Sequence, residues 1–485
     1  SEMCIRDSDK VDESKLPSPK VQQNGLIEPR NEIEREFAET IVDVLEIPSV
    51  SIDDDFFEIG GTSLDAMVVV SKLKLKNIHL TMQDMYQFKT IRYLADHFET
   101  RKALPKVELP DHLPQLQALV KQRYQMKHKH IVRSTLGHVL LTGATGFLGA
   151  YLIDELHGHA DKITCIVRGH DLSEAQIKLQ NNLKCYFDIA HTTKLINNLD
   201  IVLGNLSELD QLHIDASIDT IIHAGARTDH FGDDQAFIDV NVKSTEALVD
   251  LAKKKDAKFI YISTISVGTV FEVHEEDVSF TEKDLYKGQL FTSPYTKSKF
   301  YSEIKVLEAV NDGLDAQIMR LGNLTSASTG KLNMKNLTTN RFSIVMRDLL
   351  KMSFIGESLS KSEVEFSFID VTARHIIKLA SSNAIPVVYH VYSPHAITMK
   401  QVLDSATDSE MTVVNDRKFD QELHRLGMHE LIGLNSNEDN QIPGVTDSSM
   451  TQMLLNELQD EWPEPTPKWL HQWRHLLSEK FEAQL

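Results

Sequence analysis

Apolar positions along this chain repeat with one period near the start and with another further on. Between residues 31 and 99, Ile33, Phe37, Ile41, Val44 and Leu45 recur at helical spacing, and a second set runs from Leu64 through Val68 to Leu73. Spacing of three and four residues predicts amphipathic helices. The two sets flank a polar loop, Asp53-Asp54-Asp55-Phe56-Phe57-Glu58-Ile59-Gly60-Gly61-Thr62-Ser63. The stretch therefore reads as a helical bundle of about the smallest size that folds alone. From Gly137 onward short β-branched runs take over, at 138–141, 163–167, 220–223, 258–263 and 317–320. The helical patterns between them are long enough for crossovers, so the fold class predicted is α/β, a doubly wound parallel sheet with helices on both faces. After Gly322 the rhythm breaks up. A strand-like run at 363–369, a helix over 371–379 and a tail bearing Trp462, Trp469 and Trp473 predict a smaller C-terminal lobe.

Polar segments mark the boundaries. Residues 1–24 read as a linker, 25–100 as the bundle and 101–135 as a second linker. The α/β domain follows over 136–485, its core ending near 324 and its lobe lying mostly in 325–485. Pro105, Pro110 and Pro114 punctuate the second linker, and its basic run over 121–133 reads as a solvated helix rather than a nucleic-acid or metal site. There is no internal repeat.

Composition narrows the function classes. The 485 residues suggest about two to four domains. A formal net charge of −20 disfavours nucleic acid and anionic membrane as partners. Three cysteines without CxxC spacing, Cys4, Cys165 and Cys185, give neither a disulfide framework nor a zinc site. With no apolar run of membrane-spanning length and a polar start, the expectation is a cytoplasmic, reducing setting without a signal peptide. The chain begins with Ser1 rather than Met, as a piece of a longer protein would.

Chemistry enters at Thr142-Gly143-Ala144-Thr145-Gly146-Phe147-Leu148-Gly149, where a strand runs into a G-x-x-G-x-x-G turn and then a helix. The first glycine permits the tight turn, the second lets backbone approach a pyrophosphate, and the third lets helix pack on strand. The helix start offers free N–H groups to the phosphates. About twenty residues on, where an NAD site places an acid for the ribose 2′-hydroxyl, stands Arg168. A guanidinium there suits a 2′-phosphate, with Lys178 as a second charge, so NADPH is favoured over NADH. Further on, Ser293-Pro294-Tyr295-Thr296-Lys297-Ser298-Lys299 opens a helix with Tyr295 and Lys299 four residues apart on one face. A lysine ammonium beside a phenol is expected to lower the phenol's pKa. Tyr261-Ile262-Ser263-Thr264-Ile265-Ser266 ends a strand at the sheet's carboxyl edge, where Thr264 can donate to a carbonyl oxygen gaining charge.

Taken in order, TGATGFLG, HAGA at 223–226, STIS, YTKSK and Arg320-Leu321-Gly322-Asn323 resemble the extended short-chain dehydrogenase/reductases over 137–395. That resemblance implies a Thr264, Tyr295 and Lys299 triad, with Lys299 also bonding the nicotinamide ribose. It places Thr142, Gly143, Thr145, Gly146, Phe147, Leu148, Gly149, Asn205, Leu206, Ala224, Gly225, Ala226, Ser263, Leu321 and Gly322 around the cofactor, together with Tyr295 and Lys299. His223, Asp229 and His230 fall in the cofactor-lining turn, and no metal is expected there.

The bundle supplies the substrate. Phe56-Phe57-Glu58-Ile59-Gly60-Gly61-Thr62-Ser63-Leu64 resembles the GG(H/D)SL attachment site of acyl and peptidyl carriers, which implies a 4′-phosphopantetheine arm on Ser63. The alternative is that Ser63 is only a helix N-cap. Residues 9–17 are similar to the last motif of an adenylation domain, with Lys10 at its catalytic lysine. This order resembles the terminal carrier–reductase region of nonribosomal peptide synthetases, and HAGARTDHFG (223–232) is similar to the pyrazinone-forming, aureusimine-type members. The resemblance implies NADPH-dependent release of an aminoacyl or peptidyl thioester through a thiohemiacetal to an aldehyde, with a second reduction to the alcohol not excluded. It implies as partners the tethered thioester, a phosphopantetheinyl transferase and upstream adenylation and condensation domains. Rival readings are an α-aminoadipate or carboxylic acid reductase, a nucleotide-sugar epimerase or dehydratase, and a non-catalytic NADP-binding docking module.

Overall fold

The computed structural model of the chain describes residues 26–76, 78, 80–100, 108–126, 135–212, 214, 217–228, 233–272, 278–291, 293–329, 341–407, 410–426, 428, 431 and 441–482. Two compact units emerge, 1–106 and 107–485. The adenylation-like tail with Lys10, the basic residues 127–133, and Asp229 and His230 lie outside the described residues.

The first unit is a bundle of helices α1 (Glu32–Leu45), α2 (Ser63–Leu75), α3 (Met82–Phe88) and α4 (Ile91–Thr100). Asn31 caps α1 by accepting the Glu34 N–H at 2.8 Å, and Thr81 and Asp84 form a capping box on α3. Phe37, Ile41, Val69, Leu73, Met85 and Leu94 are buried, the helical spacing of the sequence turned inward.

The second unit begins with α5 (Leu113–Gln125). Its Leu113, Leu116 and Val120 are buried in the core of this unit, while residues 121–126, at the start of the run expected to be solvated, are exposed or half-buried. Gln117 also accepts the Leu285 N–H at 2.8 Å. Apolar positions three and four residues apart within a mostly polar segment are what dock it.

Beyond it come β1 (His138–Thr142), α6 (Phe147–Leu156), β2 (Lys162–Val167), α7 (Leu172–Lys184), α8 (Ile189–Ile196), β3 (Leu199–Leu203) and β4 (Thr220–His223). Then follow α9 (Asp234–Phe237), a π-helical turn (Ile238–Val242), α10 (Lys243–Lys255), β5 (Lys258–Thr264), the short β6 (Val270–Glu272) and β7 (Ser279–Phe280), α11 (Pro294–Asn311) and β8 (Ala316–Leu321). The later part holds β9 (Leu324–Thr325), α12 (Arg341–Leu349), β10 (Phe354–Gly356), α13 (Glu357–Lys361), β11 (Glu363–Glu365), β12 (Ser367–Phe368), α14 (Ile369–Ala380) and β13 (Val388–Val391).

The central sheet has seven strands in the order β13-β8-β5-β4-β1-β2-β3, and every pairing is parallel. Strands β1, β4, β8 and β13 are buried throughout, as a parallel sheet covered on both faces requires. Progression reverses between β1 and β4, which opens a crevice at their carboxyl ends. Two strands were not anticipated. β3 is a half-exposed edge strand carrying Asp200, so its apolar run is broken, and β13 joins the sheet only after a long excursion. Part of the expected lobe therefore belongs to the core, since β13 pairs with β8 and α14 packs on α6. Trp469 and Trp473 lie on a closing helix (Pro467–Glu482), and the Trp469 indole N–H reaches the Ala327 carbonyl at 3.2 Å. Among the described residues no helix is long and apolar enough to cross a membrane.

Candidate active site

Glycine 143 takes a φ of 76° at the end of β1, and a Cβ there would stand 2.6 Å from the Ala224 carbonyl. Only glycine allows β1 and the turn after β4 to approach so closely. A Cβ on Gly149 would fall 2.1 Å from the Gly143 oxygen, so α6 can rest on the turn. Gly146 begins α6 without a side-chain cap, leaving the first amides of that helix for an anion. Thr142 Oγ1 accepts the Gly225 N–H at 3.0 Å and lies 2.8 Å from His223 Nδ1. Burial, with the charge of Lys299 adding, holds His223 down at about 3. His223 is thus a neutral strut that ties β4 to β1. Leu206 packs against Gly225, while Asn205 is exposed beside it.

This cradle fits a dinucleotide pyrophosphate. Arg168, exposed directly after β2, stands at the position the ribose test concerns. Lys178 is already engaged, its ammonium 2.9 Å from Glu174, so the expected second charge is largely offset.

Three residues of α11 face the end of β5. Ser293 caps the helix and Pro294 takes its first turn, which sets the phase. Tyr295 is hydrogen-bonded to Thr264, the last residue of β5. Lys299 Nζ donates to the Ile262 carbonyl at 2.7 Å and sits 4.7 Å from the centre of the Tyr261 ring. Glu303, one turn further, accepts from Ser263 Oγ at 2.6 Å. Ser263, expected beside the cofactor, has its hydroxyl committed to Glu303.

The expected acidic phenol does not form. Burial pushes Tyr295 up to about 12 against the Thr264 hydrogen bond that pulls it down, so Tyr295 carries its proton at neutral pH. Lys299 is itself pushed down to about 7 by burial, with Glu303 opposing. Desolvation is the larger cause for both groups, outweighing the Thr264 hydrogen bond on the phenol and the Glu303 charge on the ammonium. Leu321, paired in register with Thr264, and Gly322 complete the carboxyl edge. There Glu365, raised to about 7 by burial, accepts from the Asn323 N–H and from Ser367 Oγ.

Several contributors were not legible in the sequence. Asn182 of α7 donates its amide to the carbonyls of Ala144 (3.3 Å) and Gly146 (3.1 Å), pinning the glycine turn from below. Asn241, in the π-helical turn, bonds both backbone groups of Arg227 and donates to Ser298 Oγ at 2.9 Å. Neither belongs to a local motif, and each meets its target across a long sequence gap. Glu303 did leave a trace, since it stands four residues beyond Lys299 on the same helical face.

In the bundle, Gly60 has a φ of 109°, and Gly61 lies where a Cβ would strike the Phe56 ring at 2.4 Å. Thr62 and Asp65 cap α2 reciprocally. Thr62 N–H reaches Asp65 Oδ2 at 2.9 Å, and the Asp65 N–H reaches Thr62 Oγ1 at 3.2 Å. The N-cap is therefore Thr62, and Ser63 begins the helix proper.

Comparison with known proteins follows the same division. The phosphopantetheine attachment site family matches residues 35–98, and the NAD-binding family described as male sterility protein matches 141–376. The crystal structure of the aureusimine biosynthetic cluster reductase domain is 44% identical with a TM-score of 0.73, covering 78% of this chain and 100% of that one. A thiolation-reductase di-domain from an archaeal nonribosomal peptide synthetase is 26% identical with a TM-score of 0.79, covering 95% of this chain and 99% of that one. A linear gramicidin synthase of Brevibacillus parabrevis is 27% identical over 450 residues, 87% of this chain, and the chain spans only 8% of that protein's length. A carrier bundle followed by a nucleotide-binding reductase, with this likeness along both units, places the chain in the carrier-plus-reductase family of the nonribosomal peptide synthetases.

Proposed function

We propose that the chain releases an aminoacyl or peptidyl thioester from its own carrier as an aldehyde, at the expense of NADPH. The observation that carries this reading is the Tyr295–Thr264 hydrogen bond at the carboxyl edge of β5, in a chain whose first unit is a carrier. Bound NADPH supplies the hydride, and the pantetheine arm on Ser63 supplies the thioester carbonyl. The turn from Gly143 to Gly149 and the start of α6 hold the pyrophosphate, and Arg168 takes the 2′-phosphate. Thr264 accepts the Ser266 N–H at 3.2 Å, and its one proton, held by the Tyr295 oxygen in the free enzyme, turns to the carbonyl oxygen when substrate enters. Tyr295 keeps a proton on its phenolic oxygen at neutral pH and gives it to that oxygen as charge develops. Lys299 holds the Ile262 carbonyl, so that β5 ends with Thr264 in place.

Ser63, the first residue of α2, is the one a phosphopantetheinyl transferase modifies in this reading. Tethering makes the encounter intramolecular, so the carrier need not bind tightly. The setting is cytoplasmic, and upstream adenylation and condensation domains supply the loaded chain. The test is to load the carrier with aminoacyl- or dipeptidyl-pantetheine, add NADPH, and follow its absorbance together with product mass. Aldehyde or alcohol release supports the reading. Its absence from loaded protein, or attachment at a residue other than Ser63, overturns it.

A further inference from the structure

Residues Tyr295, Lys299 and Glu303 lie one turn apart on α11, and each engages a different one of the last three residues of β5. Tyr295 meets Thr264, Lys299 meets the Ile262 carbonyl at 2.7 Å, and Glu303 meets Ser263 Oγ at 2.6 Å. The third rung is the most strongly built. Arg320 of β8 is fully buried and grips Glu303, with Nε 3.0 Å from Oε1 and an Nη 2.6 Å from Oε2. Its other Nη donates to the Asp284 carbonyl at 2.8 Å and lies 3.3 Å from His390 Nε2. A buried ion pair of this kind gives little net stability over an apolar pair of the same volume, so its placement is better explained by what it orients.

We propose that Glu303, locked by Arg320, is the positioning residue of this site: it fixes Ser263, and through it Thr264, and sets a carboxylate one helical turn from Lys299 on the same face of α11. This rests on the catalytic reading of Thr264, Tyr295 and Lys299 given above. The groups facing Lys299 are Tyr261 on β5, His223 on β4, and Tyr295 and Glu303 on α11, with Arg320 of β8 behind Glu303. His223 is neutral, and both tyrosines keep their protons. Glu303 is therefore the anion in that set, and it opposes the burial that drives the lysine toward its neutral form.

The test measures NADPH affinity by fluorescence, and kcat on a loaded carrier, each across pH. In Glu303→Gln the Ser263 bond survives while the charge is lost, and the alkaline limb of both profiles moves to lower pH by about one unit. Glu303→Gln leaves Arg320 buried and unpaired. Should that chain fail to fold, Glu303→Gln with Arg320→Gln removes both charges and is expected to shift the limbs in the same direction by less, since the opposing guanidinium is gone as well. Ser263→Ala keeps the charges and breaks the tie, so kcat falls about tenfold while both limbs stay put. Limbs unmoved in the Gln variants overturn the electrostatic role, and unchanged kcat in Ser263→Ala overturns the tie to Thr264. NADPH affinity needs no turnover. A wild type that binds NADPH but reduces no thioester would sink the proposed reaction, while the affinity profiles would still decide the role of Glu303.

Discussion

The carrier bundle and the reductase unit build their sites in opposite ways. In the bundle, the features that shape the loop and start α2 at Ser63 lie within a few residues of it: Gly60 at positive φ, Gly61 against Phe56, and the reciprocal Thr62–Asp65 cap. In the reductase, Thr264 and Tyr295 come from a strand and a helix well separated along the chain, and Arg320, gripping Glu303 of that helix, adds β8 as a third element. A local site needs only turn chemistry and a cap. A distributed one needs a rigid sheet edge to bring its parts into register, and its protonation states are set by burial rather than by neighbours in sequence.

That contrast can be broken from either side. Ser63→Ala should abolish loading and all reduction of tethered substrate, seen by intact mass and NADPH consumption, yet leave reduction of a free pantetheine thioester untouched. If the free substrate is lost as well, the two sites are not separable. Tyr295→Phe should do the reverse, loading normally while kcat drops by about 10²–10⁴-fold in single-turnover assays. The pH profile of kcat/KM, which reports the free enzyme, should fall as pH rises through about 7, because Lys299 is cationic below its pKa and loses its proton above it. A flat profile from about pH 6 to 9, the range an ordinary lysine would leave unchanged, would remove Lys299 from the mechanism. Arg168→Ala should raise the NADPH dissociation constant by about tenfold and leave that of NADH nearly unchanged, the loss of one charge-assisted contact. The smallest change is expected for Asn182→Ala. Losing two bonds to the glycine turn should cost about 1–3 kcal/mol of stability by denaturant unfolding and weaken NADPH severalfold, with carrier loading unaffected.

Legibility followed the same line. The glycine turn, the helix start at Pro294 and the GGTS loop are contiguous, and their physical reasons lie in φ, caps and missing donors that a few residues determine. Strand β4 was placed correctly because Thr220-Ile221-Ile222-His223 is continuously apolar and β-branched before its histidine. Strand β3 was missed because an edge strand needs to bury only one face, and the docking of α5 went unread because its polar majority hides three inward positions ahead of the basic run. Ser263 was assigned to the cofactor side, but its hydroxyl belongs to Glu303, a partner forty positions away.

By itself, then, the sequence determined the two modules, the cradle for a nucleotide, the serine that begins α2 and the residue types able to move a proton, since each depends on short-range stereochemistry. Tertiary structure alone decided which of those groups are charged. Tyr295 keeps its proton, Lys299 is poised near neutrality and His223 is a neutral strut, because desolvation and the buried Glu303–Arg320 pair exist only once α11, β5 and β8 have packed.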